Sequence, residues 1–174
     1  MKFSLSFLWL KFVWVCDMLF IIGDFTMIDE NRIKHILSVA RLMKENAEKL
    51  GLDPEEMFTL GYLHDIGYEF GGSEEHHIKG AEMLAKQGYK YVQEILFHGK
   101  PNVGYESPAL DLLNFADMHI NKKGEYVSFA DRLEDIATRR GKTSPHYQNC
   151  KVIIDGLLQK GFEDSPMNAD FFQK

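Results

Sequence analysis

Residues 53–67 read DPEEMFTLGYLHDIG, and the fold follows from how that stretch starts and stops. Asp53 has a side chain suited to capping a helix. Pro54 fits the first helical position, and Glu55 and Glu56 fall in the positive first turn. Met57, Leu60 and Leu63 then recur at helical spacing. The helix is expected to run to His64-Asp65 and to end at Gly67. A carboxylate directly after an imidazole is chemically useful when both leave the end of a helix. There the chain can aim the two neighbours at one ion, whereas in mid-helix they diverge by about 100°. Taken alone, the pair is a weak signal, and a histidine interacting with the negative end of the helix accounts for it better.

Outward from this stretch, almost every segment reads as helix. Upstream, Glu30 to Leu50 carries Ile33, Ile36, Leu37, Ala40, Met43, Ala47 and Leu50 as one apolar stripe, stopped by Gly51. Downstream comes a loop with Gly71-Gly72, and Ser73 can cap a helix through Ala81, Leu84 and Lys86. A short helix spans about Tyr89 to His98 and ends at Gly99. Ser107-Pro108 opens another to about Ile120. Ser128 opens one through Leu133 and Ile136 to Gly141, and the last runs from about Pro145 to Lys160. No strand-like alternation and no internal repeat appears. The expected fold is all-α: a compact single-domain bundle of about six or seven helices over residues 27–162. An apolar segment (1–26) precedes it and a tail (163–174) follows.

Composition narrows the function classes. At 45% hydrophobic and 26% charged residues the chain reads as an ordinary folded domain rather than a disordered one. A formal net charge of -6, with no run of lysine or arginine, argues against a nucleic-acid polymer as partner. A small phosphorylated substrate stays compatible, because metal ions can reverse the sign locally. Cys16 and Cys150 lie far apart without CxxC spacing, which fits a reducing, cytoplasmic setting. The segment MKFSLSFLWLKFVWVCDMLFIIG invites a leader or membrane-anchor reading through residues 1–23, but Lys11 and Asp17 interrupt it before a spanning length is reached. An extra segment packed on the domain, or an over-long start with Met27 as the initiator, is the competing expectation.

Two further residues change the weight of His64-Asp65. His35 lies near the start of the preceding helix, between Ile33 and Ile36, where a core or boundary histidine is the plain alternative. Asp117 sits inside the mostly apolar run Leu112-Leu113-Asn114-Phe115-Ala116-Asp117-Met118, where an unpaired charge would be costly. A divalent cation would satisfy His35, His64, Asp65 and Asp117 together. Mixed imidazole and carboxylate ligands suit iron, manganese, zinc, nickel or cobalt better than calcium.

On His35, His64-Asp65-Ile66-Gly67 and Asp117, in that order, the chain resembles the HD-domain superfamily, in its HDIG-bearing branch, from roughly Asn31 to Arg140. The stretch His76-His77-Ile78-Lys79-Gly80-Ala81-Glu82-Met83-Leu84 looks like that branch's HxxxGAxxL helix, which selects His76 over His77. His98 closes the next helix, where dinuclear members carry another histidine. The resemblance implies one metal on His35, His64, Asp65 and Asp117 and a second on His76 and His98, with Asp65 bridging. A single-metal or metal-free domain is the alternative, with His76-His77 then a solvated helix start and His98 a helix-terminal histidine. Size and ligand order are similar to small diadenosine-polyphosphate hydrolase-like members.

Two departures stand out. Tyr68 occupies the place where many members have a phosphate-reaching lysine. In place of the arginine expected after the last metal aspartate, the chain reads Met118-His119-Ile120-Asn121-Lys122-Lys123. Lys100, Lys79 or Arg132 are the candidates to supply the missing positive charge. Arg132 otherwise belongs to a charged, solvated helix face with pairs four residues apart, and His119 is expected behind the ligands or at the surface.

The implied activity is metal-dependent hydrolysis of a small phosphorylated metabolite, a nucleotide first, with Asp65 and His64 at the catalytic centre and a metal-activated water as nucleophile. A di-iron oxygenase and a non-catalytic module binding a nucleotide or partner protein are the rivals from other classes. A second copy of the chain is a further candidate partner.

Overall fold

The computed structural model describes residues 27–71 and 75–164. Among them lie seven α-helices: α1 (Glu30–Asn46), α2 (Pro54–Leu63), α3 (His76–Lys86), α4 (Val92–Phe97), α5 (Pro108–His119), α6 (Phe129–Arg140) and α7 (Pro145–Gln159). The all-helical expectation holds. The only strand-like feature described is one isolated bridge, Ile120 to Tyr126.

The starts follow the local chemistry. Side chains of Asp29, Asp53, Ser107, Ser128 and Ser144 each accept hydrogen bonds from first-turn amides, and proline occupies the first turn of α2, α5 and α7. Each cap contributes about 1 kcal/mol by satisfying an amide the helix itself leaves open.

The ends depart more. The last turn expected of α1 tightens into a 3-10 turn, Ala47–Leu50, closed by Gly51 at φ 69°. Helix α2 stops at Leu63, with His64 as its cap, and the chain winds on as a 3-10 turn over Ile66–Phe70. Gly67 therefore does not end the helix. It sits inside that turn because nothing larger fits: a Cβ there would lie 1.7 Å from the carbonyl oxygen of His76. Helix α4 starts at Val92 rather than near Tyr89, since the amides of Gln87, Gly88 and Tyr89 are used to close α3 on the carbonyls of Leu84 and Ala85.

Helix α5 is central. It packs against α1, α2, α4, α6 and α7, and Leu112, Leu113, Phe115 and Ala116 are fully buried. Each such large apolar side chain contributes roughly 1.5–3 kcal/mol on burial. Against α1, α2 comes close enough that a Cβ on Gly61 would meet the Ala40 Cα at 2.6 Å. Beyond α7, Phe162 is buried and Asp164 accepts a hydrogen bond from the Phe129 amide at 2.7 Å, so the chain is held back onto α6. No helix among the described residues is long and apolar enough to cross a membrane. The expectations for residues 1–26, the Ser73 cap and the far tail fall outside the described residues.

Candidate metal centre

Five segments deliver side chains to one interior point. His35 comes from the second turn of α1, and His64-Asp65 from the end of α2. His76 is the first residue of α3, His98 follows α4, and Asp117 lies in the last turn of α5. Asp117 reaches the interior because α5 is buried on nearly every side, and the Gly67 contact seats the start of α3 directly against the turn after Asp65. Two groups result, each with its ligand atoms within 4.8 Å of one another: His35, His64 and Asp117 in one, Asp65, His76 and His98 in the other.

Asp65 faces both. Its Oδ2 lies 3.4 Å from His64 Nε2 and 3.9 Å from His35 Nε2. Its Oδ1 lies 3.3 Å from His76 Nε2 and 3.7 Å from His98 Nε2. The two imidazoles of the second group approach each other at 3.3 Å, Nε2 to Nε2.

Backbone carbonyls set the imidazole tautomers. Nδ1 of His35 donates to Asn121 O at 3.1 Å, His64 to Gly61 O at 2.6 Å and His98 to Ile95 O at 2.6 Å. A carbonyl only accepts, so each Nδ1 carries the proton and, in the neutral ring, leaves Nε2 with a bare lone pair. The Nε2 atoms of His35 and His64 are buried and make no hydrogen bond, although His35 Nε2 sits 3.1 Å from Asp117 Oδ1. Orphaned acceptors beside buried carboxylates are what a divalent cation would satisfy, and the donor set fits a transition metal.

Electrostatics agree. Burial drives His64 down to about 4, more than Asp65 beside it can offset, so the ring stays neutral and ligand-ready. Burial opposes charge on Asp65, yet His64, His98, Arg32 and His35 together hold its carboxyl well below the usual range. Asp117 is likewise held down against burial, by His35, Arg132 and His64. His98 is raised, because Asp65 outweighs the desolvation that would lower it.

Other groups define the surroundings. Arg32, one turn before His35 on the same face of α1, places Nη1 2.7 Å from Asp65 Oδ2. Its guanidinium also lies 4.2 Å from the centre of the Tyr68 ring, which stacks at 4.3 Å on His76. Sequence reading passed Arg32 over; its three-residue spacing from His35 was the available signal. Tyr68, in the position of the expected lysine, thus props both His76 and Arg32.

The three lysine and arginine candidates diverge. Arg132 turns inward: its side chain is 11% exposed, with Nη2 3.7 Å from Asp117 Oδ1. Lys79 donates to the Gly71 carbonyl and ties down the turn after Gly67. Lys100 lines a cleft of about 700 Å³ between the 100–106 loop and α7. His77 is buried beside the cluster but belongs to neither group, and burial, with Lys100 next, lowers it to about 4. His119 is fully buried among Phe115, Tyr126 and Phe129, not at the surface.

Fold and site together define a helical domain built around a histidine–aspartate cluster able to hold a metal ion. The chain belongs to the HD domain family, whose family model matches residues 32–136, a span that includes all six clustered residues. HD domains bind divalent metals, and the family generally includes metal-dependent hydrolases. Searches of curated proteins and of solved structures returned no match.

Proposed function

We propose that this protein is a phosphohydrolase with a dinuclear centre, acting on a small phosphorylated metabolite, a nucleotide first. The observation that carries the reading is Asp65, whose two oxygens face different histidine groups. His35, His64, Asp117 and one Asp65 oxygen would hold one divalent ion; His76, His98 and the other Asp65 oxygen would hold the second. Six ligands shared between two ions leave coordination open, which favours catalysis over a closed structural site. When bound, such ions supply the Lewis acidity that activates water and neutralises phosphoryl oxygens.

The chain's own residues do the rest. Asp65, held ionised, orients the nucleophile between the two groups. The carbonyls of Asn121, Gly61 and Ile95 lock the imidazole orientations. Arg132, together with Arg32 once Asp65 is engaged elsewhere, offers guanidinium donors for phosphoryl oxygens. Lys100, which lines the cleft against the last helix, is the lysine left to meet the organic part of the substrate, whereas Lys79 is committed to the backbone. Arg32 and Arg132 beside the cluster favour an anionic substrate.

The test is elemental analysis of protein purified without chelator, followed by a phosphate-release screen over nucleotides and sugar phosphates. Close to two equivalents of metal with phosphate release would support the proposal. Metal well below one equivalent, unresponsive to added Mn2+ or Fe2+, would remove it.

A further inference from the structure

Arg132 lines a second, smaller cavity of about 190 Å³, between the turn that follows α5 and the first half of α6. Its walls carry Asn121, Lys122, Lys123, Asp131, Arg132 and Asp135. Two of these residues also belong to the surroundings of the metal cluster. Arg132 Nη2 is 3.7 Å from Asp117, and the Asn121 carbonyl holds His35. The cavity therefore adjoins the reacting centre.

Its charges are unevenly satisfied. Asp131 accepts a hydrogen bond from Ser128 Oγ at 2.7 Å, and Asp135 is gripped by Arg139 at 2.6 Å. No described carboxylate lies within ion-pair distance of Lys122 or Lys123, and Arg132 keeps a buried Nε without a hydrogen-bond partner. Arg132 is shared with Asp117 and Lys122 helps hold Asp135 ionised, but neither lysine is locked in a salt bridge among the described residues. The two lysines are carried on a fixed turn, because Asn121 Oδ1 accepts from the amides of Lys123 and Glu125 at 2.8 and 3.1 Å, and Ser38 Oγ donates to the Gly124 carbonyl at 2.8 Å. At about 190 Å³ the cavity is smaller than the roughly 300–1,000 Å³ of sites that enclose a whole small molecule, so it suits one group of a ligand.

We infer that this cavity seats a second anionic group of the substrate, with Arg132 between it and the centre, so that the preferred substrates are small molecules bearing two anions. The inference rests on the phosphohydrolase reading for the position of the first anion. A guanidinium donor and two ammonium groups would each add a charge-assisted bond to that second group. A substrate with a single phosphate would leave them unused.

The experiment is calorimetric titration of the metal-loaded protein with three probes: methylphosphonate, methylenediphosphonate and phosphonoacetate. A two-anion probe is expected to bind about tenfold tighter than methylphosphonate, and the double variant Lys122→Ala/Lys123→Ala to reduce that advantage to about twofold or less. Preference for methylenediphosphonate over phosphonoacetate identifies the second anion as a phosphate; the reverse identifies a carboxylate. No advantage for either probe overturns the inference. So does an advantage the double variant retains in full, since chelation by the metals alone would then explain it. Turnover of p-nitrophenyl phosphate on the same sample reports separately on the hydrolase reading. A protein that is inactive yet keeps the lysine-dependent advantage retains the anion pocket and loses the hydrolase.

Discussion

His64 and His119 are both buried histidines at the ends of helices, and both use Nδ1 to bind a backbone carbonyl, Gly61 for one and Val127 for the other. Both have a buried Nε2 without a hydrogen-bond partner, and burial lowers both rings below the ordinary histidine range. They differ in their company. His64 points Nε2 at Asp65, with His35 and His98 around it, while His119 stacks on Phe129 at 4.0 Å and on Tyr126 at 4.8 Å. The same side chain in the same tautomer joins a cluster that could hold a metal ion in one place and is packing in the other. Burial and a depressed pKa do not separate the two roles; convergence with carboxylates does.

That contrast can be broken most sharply at Asp65. Asp65→Ala removes the carboxylate whose two oxygens face the two groups, so metal content should fall by at least one equivalent. Phosphate release should drop by well over the 10- to 100-fold typical of groups that only orient a ligand. Elemental analysis and a coupled phosphate assay on the same preparation check this, and undiminished metal would refute the bridging role. Next in size, His119→Ala should cost about 2–4 kcal/mol of stability by opening a cavity in the aromatic cluster, with metal content unchanged. Denaturant melts paired with metal analysis would show it, and metal loss at unchanged stability would reverse the assignment of the two histidines.

Gly67→Ala tests the close approach that seats His76. Its Cβ would have to displace backbone, and the expected cost is about 1–3 kcal/mol together with weakened occupancy of the second group. Full stability and full metal content would show that the turn yields freely. The smallest effect concerns pH. His77 and His119 titrate lower in the folded protein than in the unfolded chain, so protons bind the unfolded state first. Their contribution is complete above about pH 6.5 and is lost as pH falls toward about 4, the value for His77. Melting temperatures of the chelator-treated protein should decline across that window, and a flat profile would count against the buried neutral rings.

Much of this was legible beforehand, for local reasons. Caps at Asp53, Ser107, Ser128 and Ser144 mark helix starts because a short polar side chain satisfies its own neighbouring amides. The histidine–aspartate pair stood out because it leaves a helix end. Helix ends were read less well: α2 stopped before Gly67, since the constraint on that glycine is the His76 carbonyl, which is distant in sequence. Arg132 looked like part of a solvated face, because α6 alternates charges along its length and nothing local distinguishes the one arginine that turns inward. Arg32 went unnoticed for the same reason.

Sequence alone determined the helical class and the order of the elements, because capping and periodicity act over a few positions. Residue chemistry pointed to His35, His64, Asp65 and Asp117, and the family resemblance implied His76 and His98. Only the tertiary structure decided that Asp65 presents one oxygen to each histidine group, that Arg132 rather than Lys79 faces the site, and that His119 is packing. Those outcomes depend on how five separate segments cross one another, which close contacts such as Gly61 on Ala40 and Gly67 on His76 set and no single segment encodes.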